Sequence, residues 1–239
     1  MREHFLNKRF ATGFVLLIII MILVLILPTP PNTLNVAGVW PSPGILYKGD
    51  EGVSLTFNVE LGDDSVLWLL EELEQNDIRK ATFFLDPAWV DRQDEVVKEI
   101  ALSGFDIGVF DPHPSRFTSL EPEEVEKHLK DIRVFFEEHG LEVGYYRTKD
   151  ELLDPSIIKL MSKNEFIVVG HQVSSDGLNE RKTTSFNGAV VEMVVPNRLQ
   201  DVKDDWAMWF TSMKKDKNVS FVSLLELMAS SDSKIRLLE

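Results

Sequence analysis

The chain has 239 residues, of which 44% are hydrophobic and 27% charged, a balance that excludes an intrinsically disordered protein. It contains no cysteine, which excludes disulfide bonds, thiol nucleophiles and cysteine-ligated metal sites. The formal net charge of −14 at pH 7 argues against binding nucleic acid or anionic lipid through the overall surface field.

The first 27 residues predict a membrane anchor. Three basic residues lie among the first nine, and fourteen unbroken apolar residues follow at 14–27. The uncharged run extends back to Phe10, which gives eighteen residues, close to the ~20 that a helix needs to cross a bilayer. We therefore predict a cytoplasmic N-terminus at 1–9, a transmembrane helix at 10–27 and a single-pass protein whose domain lies outside the cell membrane. A cleaved signal peptide is the alternative, but no small-x-small cleavage site follows the run.

Residues 28–46 predict an extended linker, because they hold five of the eleven prolines. The remaining length suits one domain, which we place at 47–230, with 231–239 as a C-terminal tail.

A strand–helix alternation runs through the predicted domain. The predicted strands are GVSLTFNV (52–59), KATFFL (80–85), FDIGVF (105–110), VGYYR (143–147), EFIVVG (165–170) and GAVVEMVVP (188–196). The predicted helices are 64–76, 94–104, 118–140, 154–164 and 204–216, and 219–228 reads as a strand that leads into a short final helix. For the long helix, Ser119 is the predicted N-cap and Pro122 lies in the first turn.

Repeated β–α units predict an α/β fold with a parallel sheet and helices outside it. About seven strands over this length favour an incomplete (β/α) barrel. The functional residues of such a barrel lie at the carboxyl ends of its strands.

Several stretches at these strand ends occur together in one known family. They are LYKGD (46–50), SLTFNVELGD (54–63), RKATFFLDPAWVDR (79–92), SGFDIGVF (103–110), FTSLEPEEVEKHL (117–129), YYR (145–147) and VSFVSLLELM (219–228). With these motifs in this order, the domain resembles the polysaccharide deacetylase family, which has the NodB-homology fold. The apolar N-terminus and YKGD make it most similar to the membrane-anchored, sporulation-associated branch.

The resemblance implies removal of N- or O-acetyl groups from glycans such as peptidoglycan or chitin. In that family one Asp and two His hold a divalent metal that activates water, a second Asp is the base and a later His is the acid.

Carried over position by position, the motifs have lost this chemistry. The base Asp corresponds to Asn58, the metal Asp to Val59, the two His ligands to Phe110 and Pro114, and the acid His to Val194. The third motif keeps Arg147, which in the family orients a carboxylate. The resemblance therefore implies no intact catalytic residue, no metal ligand and a pseudoenzyme.

Two interpretations of the remaining polar residues stay open. Asp111, His113 and His171 lie at neighbouring strand ends and are candidates for a rearranged site that binds Zn²⁺ or another divalent metal. Arg147 is predicted to pair with Asp150 or Glu60 as a structural tie. For the aromatic residues Trp89, Tyr146 and Trp206, sugar stacking and core packing are both compatible with the sequence.

Three functions follow from these observations. The first is a membrane-anchored, catalytically inactive deacetylase homologue of the bacterial cell envelope that binds glycan or an envelope protein, with sporulation as its expected context. The second is an active metal-dependent N-acetyl glycan deacetylase built on the rearranged site. The third is a protein-interaction scaffold without a glycan ligand.

Overall fold

The computed structural model describes residues 44–150, 153–175, 185–215 and 219–229, and the backbone alone of 234–237. The predicted anchor at 10–27 and most of the predicted linker lie outside these residues. Within the described part of the chain, no helix is long and apolar enough to cross a membrane.

Nine strands form one sheet among the described residues. They are β1 Gly44–Lys48, β2 Val53–Val59, β3 Thr82–Leu85, β4 Asp106–Asp111, β5 Tyr145–Thr148, β6 Ile167–Val169, β7 Val173–Ser174, β8 Ala189–Val194 and β9 Lys234–Leu237. The order in the sheet is β7-β8-β2-β3-β4-β5-β6-β1-β9, and Lys48 of β1 also pairs with Ala189 of β8. Seven strands, β1 to β6 and β8, thus form a barrel, as the repeated β–α units predict.

Helices surround the barrel. They are α1 Asp63–Gln75, α2 Pro87–Val90, α3 Asp94–Ser103, α4 Pro122–Glu138, α5 Pro155–Lys163, α6 Leu199–Lys214 and α7 Leu224–Ala229, with a 3₁₀ helix at Pro114–Ser119. The apolar side chains of these helices and of the outward face of the strands form one buried core.

Strand alternation separates this core from the barrel interior. Val53, Leu55, Phe57 and Val59 of β2 belong to the apolar core shared with the helices. Because successive side chains of a strand point to opposite faces, the intervening Ser54, Thr56 and Asn58 face the interior. All seven residues of β2 are buried, so its polar side chains need partners inside the barrel.

The long helix α4 begins three residues later than the predicted N-cap. Glu121 is the N-cap, and its backbone N–H donates to the Glu124 carboxylate at 2.9 Å in a capping box. The prediction of Ser119 as N-cap is wrong because Pro122 sets the first helical turn and the cap is the residue directly before it. Ser119 lies in the 3₁₀ helix and donates its hydroxyl to the Arg116 carbonyl.

The strand predicted at the start of 219–228 is also not formed. Phe221 makes one isolated bridge with Val53. The Val53 N–H donates to the Ser220 carbonyl, and the Val53 carbonyl accepts from the Val222 N–H. The bridge does not extend because β2 lies between β3 and β8, which take its remaining backbone groups. The final helix is formed as α7.

Two strands lie at the two ends of the part of the chain that the structure describes. β1 begins at Gly44, inside the predicted linker, and β9 lies inside the predicted tail at 231–239. These two strands pair with each other in antiparallel register, so the domain includes both segments.

Candidate functional site

Arg147 lies at the centre of the barrel mouth. It is near the end of β5, and its side chain is 1% exposed. Its Nε donates to the Val169 carbonyl at 3.2 Å and its Nη2 to the Gly170 carbonyl at 2.9 Å, which connects β5 to the end of β6. Its Nη1 donates to Thr56 Oγ1 at 2.7 Å and to Asn58 Oδ1 at 3.0 Å. One guanidinium therefore joins β2, β5 and β6 across the interior.

The guanidinium also stacks on an aromatic ring. The Arg147 Cζ atom lies 4.2 Å from the centroid of the Phe84 ring on β3. A cation over an aromatic face is attracted by the ring quadrupole, and the attraction is strongest where water is excluded. Gly108 on β4 leaves the space that the Phe84 ring occupies, because a Cβ at that position would lie 2.6 Å from the ring.

Glu192 on β8 supplies the negative charge of this interior cluster. Its side chain is 7% exposed, and its Oε1 lies 3.9 Å from Arg147 Nη1. The same oxygen accepts the Asn58 side-chain amide at 2.6 Å. Its other oxygen, Oε2, lies 3.1 Å from Nδ1 of His171, which follows β6. We call Asn58, Arg147, His171 and Glu192 the mouth network.

The mouth network differs from the tie predicted for Arg147. We expected Asp150 or Glu60 as its partner, but among the described residues its ion pair is with Glu192. Glu60 pairs instead with Lys149, with Nζ 3.4 Å from Oε1, at the exposed rim. Arg147 faces the interior, where Glu192 of β8 lies, whereas Glu60 lies beyond the end of β2.

Asp111 at the end of β4 forms a second polar cluster, outside the barrel interior. Its Oδ1 accepts the His113 backbone N–H at 2.9 Å and pairs with Arg116 of the 3₁₀ helix. Its Oδ2 accepts the Tyr146 hydroxyl at 2.9 Å. Burial is the main cause that raises the pKa of Tyr146 well above its usual value, and the Asp111 charge is the second cause. The Asp111 carboxylate thus links the 3₁₀ helix to β5 through hydrogen bonds and an ion pair.

His128 of α4 packs beneath that segment. Its ring meets Phe117 edge-on, with ring centroids 5.6 Å apart. Its Nε2 atom is buried and has no hydrogen-bond partner among the described residues. Burial, reinforced by the nearby Arg116 charge, lowers the pKa of His128 below its usual value.

The residues at the family's catalytic positions have a different environment from a metal centre. Val59, Phe110 and Pro114 are buried, and Val194 is 37% exposed at the rim. Phe110 lies on the same face of β4 as Gly108, which approaches Phe84 and Tyr145, so its ring points into the interior. These side chains offer no ligand and no proton to a reaction at the mouth.

The candidate rearranged site of Asp111, His113 and His171 is divided between two regions. Asp111 bonds Tyr146, which belongs to the core between sheet and helices, whereas His171 bonds Glu192 at the mouth. His113 is exposed. Phe110 faces the interior, so its neighbour Asp111 faces the other side of the sheet. Among the described residues, no group of three or more His, Asp or Glu is arranged to hold a metal ion.

The three aromatic residues considered for sugar stacking lie in the core. Trp89, Tyr146 and Trp206 are 1%, 0% and 3% exposed, respectively. The Trp89 indole N–H donates to Asp63 and that of Trp206 to Glu72, which satisfies both buried donors. Core packing is therefore the interpretation that the structure supports.

A family comparison agrees with this fold. The polysaccharide deacetylase model matches residues 47–169, which is half of the chain. The chain belongs to the polysaccharide deacetylase family. The matched part runs from β1 to the end of β6 and contains Asn58, Phe110, Pro114 and Arg147. The comparison with curated protein sequences gives no significant match.

Solved structures of polysaccharide deacetylases share the fold. A CE4 family pseudoenzyme from Bacillus anthracis is 19% identical with a TM-score of 0.64, and the alignment covers 78% of this chain and 69% of that one. A family 4 carbohydrate esterase from the same organism is 18% identical with a TM-score of 0.66, covering 86% and 95%. A peptidoglycan N-acetylglucosamine deacetylase is 19% identical with a TM-score of 0.62, covering 79% and 94%.

The residues present do not fit the divalent metal of this family. A hard or borderline cation needs carboxylate or imidazole ligands. Valine, phenylalanine and proline stand at the three ligand positions, and the carboxylate and imidazole of the mouth network, Glu192 and His171, bond each other.

Proposed function

We propose that this protein is a catalytically inactive polysaccharide deacetylase homologue of the bacterial cell envelope that binds cell-wall glycan. The observation that carries the proposal is the state of position 58. Asn58 is buried, and both ends of its amide are engaged, by Arg147 and by Glu192. An amide so placed does not accept a proton from water.

The remaining catalytic positions support the same conclusion. Phe110 and Pro114 replace both imidazole ligands, and Val194 replaces the proposed acid. A metal-activated water requires the ligands that hold the metal and a base that takes the proton. Because each of these groups is replaced, the proposal does not depend on any single substitution.

The structural neighbours support the choice of a glycan ligand. One of them is described as a peptidoglycan N-acetylglucosamine deacetylase and another as a chitin deacetylase, and both act on polymers of N-acetylated sugars. Another is a pseudoenzyme, so the fold persists in a protein without the activity. We extend the glycan ligand, but not the reaction, to this chain.

The N-terminal sequence supports the cellular location. The apolar run at 10–27 with basic residues before it favours a single-pass anchor and a domain outside the cell membrane. Such a domain lies beside peptidoglycan. Sporulation is the context of the branch that the sequence resembles.

Glycan binding is tested by sedimenting the full-length protein, in detergent, with purified peptidoglycan. We expect the protein to appear in the pellet and to be released by soluble peptidoglycan fragments. Recovery entirely in the supernatant over a range of salt concentrations would contradict the proposal and favour the interaction scaffold.

Inactivity is tested separately, by incubating the full-length protein with Zn²⁺ and a chitin oligomer or peptidoglycan fragment. We expect acetate release at the rate of the protein-free control. Zinc-dependent release above that rate would overturn the inactive assignment and favour the rearranged-site alternative. Elemental analysis of the same sample, with metal retained or lost, reports on that alternative without relying on turnover.

A further inference from the structure

We propose that Glu192 is the positioning residue that sets the charge of the barrel mouth and that it excludes a second carboxylate at position 58. The negative charge opposite Arg147 is carried by β8, and the neutral side chain on β2 is a requirement of that arrangement. This inference follows from the contacts of the mouth network and holds whether or not the protein binds glycan.

The two neighbours of the Asn58 amide fix its orientation. A guanidinium only donates, so Arg147 Nη1, 3.0 Å away, must face the amide oxygen. An ionised carboxylate only accepts, so Glu192 Oε1, 2.6 Å away, must face the amide nitrogen. Position 58 therefore needs a side chain that accepts on one side and donates on the other.

A carboxylate at position 58 would face the carboxylate of Glu192. An ionised carboxylate has no donor, so the 2.6 Å contact with Glu192 Oε1 would bring two negative oxygens together in a buried site. Two carboxylates at this separation do not both ionise, and one of them keeps a proton. That proton restores a hydrogen bond between the two side chains. A double charge is then avoided, because two carboxyls that share one proton carry one negative charge in total, as native Asn58 and Glu192 do.

Among the described residues, Arg147 is the permanently charged group that contacts both Asn58 and Glu192. Arg147 lies 3.9 Å from Glu192, and both side chains are almost inaccessible to water. A second buried negative charge without its own cation costs several kcal/mol, so protonation is the cheaper outcome. The carboxyl introduced by Asn58→Asp is then expected to share one proton with Glu192.

The carboxylate and the amide can exchange places between positions 58 and 192. Thr56 and Glu192 are register partners on neighbouring strands, as are Asn58 and Val194, so Asn58 and Glu192 side chains reach each other along one face. Glu192→Gln supplies a donor and an acceptor in place of two acceptors. With it, a carboxylate at position 58 has an amide on one side and Arg147 on the other.

The test compares four full-length proteins: wild type, Asn58→Asp, Glu192→Gln and the double variant. Isotope-edited infrared spectroscopy detects a protonated carboxylic acid, and urea denaturation gives the unfolding equilibrium constant. We expect an acid band at pH 7 in Asn58→Asp alone. Each single substitution should raise the unfolding constant by about tenfold or more, and the double variant should recover most of that loss.

Asn197→Asp is the matched control. Asn197 is exposed on the same side of the barrel, beyond the end of β8, so the substitution adds the same charge without a buried carboxylate neighbour. We expect no acid band at pH 7 and an unfolding constant within about twofold of wild type.

Each result of the four-protein comparison either supports or contradicts the proposal. Recovery in the double variant, including the case in which only the double variant folds, supports the proposal. A double variant no more stable than the two single effects combined, or one that fails to fold, would overturn it. An ionised carboxyl at position 58 beside an intact Glu192, shown by the missing acid band at pH 7, would overturn it independently.

Discussion

Arg147 and Glu192 face each other inside the barrel with Nη1 3.9 Å from Oε1, and neither side chain has appreciable access to water. The pair joins β5 to β8 across the interior, with Asn58 of β2 between them. A buried pair of this kind is sensitive to the loss of one member, because the other is left charged and desolvated.

Arg147→Gln should therefore lower the free energy of unfolding by about 3–5 kcal/mol. The measurement is urea denaturation of the full-length protein at pH 7. Arg79→Gln is the control, because Arg79 pairs with Asp77 and Glu74 at an exposed site, and its loss should cost less than about 1 kcal/mol. Equal effects of the two substitutions would contradict the role assigned to the buried pair.

Gly108→Ala tests the stack beneath Arg147. The added methyl group would lie 2.6 Å from the Phe84 ring and 3.1 Å from the Tyr145 Cβ, so the ring must shift from its present position against the guanidinium. We expect a loss of about 1–3 kcal/mol of unfolding free energy. Gly144→Ala is the matched control, since a Cβ there meets nothing within 4 Å, and it should change stability by less than about 0.5 kcal/mol.

Tyr146→Phe removes one of the three donors that the described residues give to the buried Asp111 carboxylate, while leaving the ring in place. Hydrogen bonds to charged groups contribute about 1.5–3 kcal/mol, and we expect a loss of stability in that range. Tyr145→Phe removes the same atom from the opposite face of β5 and serves as the comparison. The proposal that Asp111 fastens the 3₁₀ segment fails if Tyr146→Phe is as stable as wild type.

The lowered pKa of His128 predicts a pH dependence of stability. The unfolded chain binds a proton near pH 6.5, whereas the folded protein binds it only at lower pH. The contribution of His128 is thus fully present above about pH 6.5 and is lost as the pH falls through the folded pKa. Arg116 and Lys127 oppose protonation of the ring, and Asp111 and Asp131 favour it.

His128→Phe should flatten the dependence of unfolding free energy on pH below about pH 6.5, measured by urea denaturation. His113→Gln is the control, because His113 is exposed on the preceding loop. An unchanged slope in His128→Phe, or an equal change in both variants, would show that other groups cause the dependence.

The sequence predicts the barrel and most of its elements because alternation and capping act locally. The run GVSLTFNV reads as a buried strand, and Gly104, with a φ of 75°, ends α3 as the C-cap. β1 and β9 are missed since each is short and its pairing partners are distant in sequence: β1 pairs with β6, β8 and β9, and β9 pairs with β1. Local patterns carry no record of such long-range pairs.

The site is only partly readable from sequence. The replaced family residues are identified from the motifs, but Glu192 is not, although one acid in the apolar run AVVEMVV is a signal of a buried, paired charge. The partner of Arg147 depends on which strand lies opposite it, and that is a property of barrel closure. Phe110 and Asp111 are consecutive residues of β4, so their side chains point to opposite faces of the sheet although they are neighbours in sequence.

Thr56 extends the influence of Arg147 into the backbone. Its hydroxyl accepts from Arg147 Nη1 and donates to the Val191 carbonyl of β8, so one hydroxyl links the guanidinium to the ladder between β2 and β8. Opening that ladder would break a chain of mutually polarised bonds and expose a buried cation. The amide protons of β2, β5 and β8 should consequently exchange with solvent together, as one cooperative unit of the barrel.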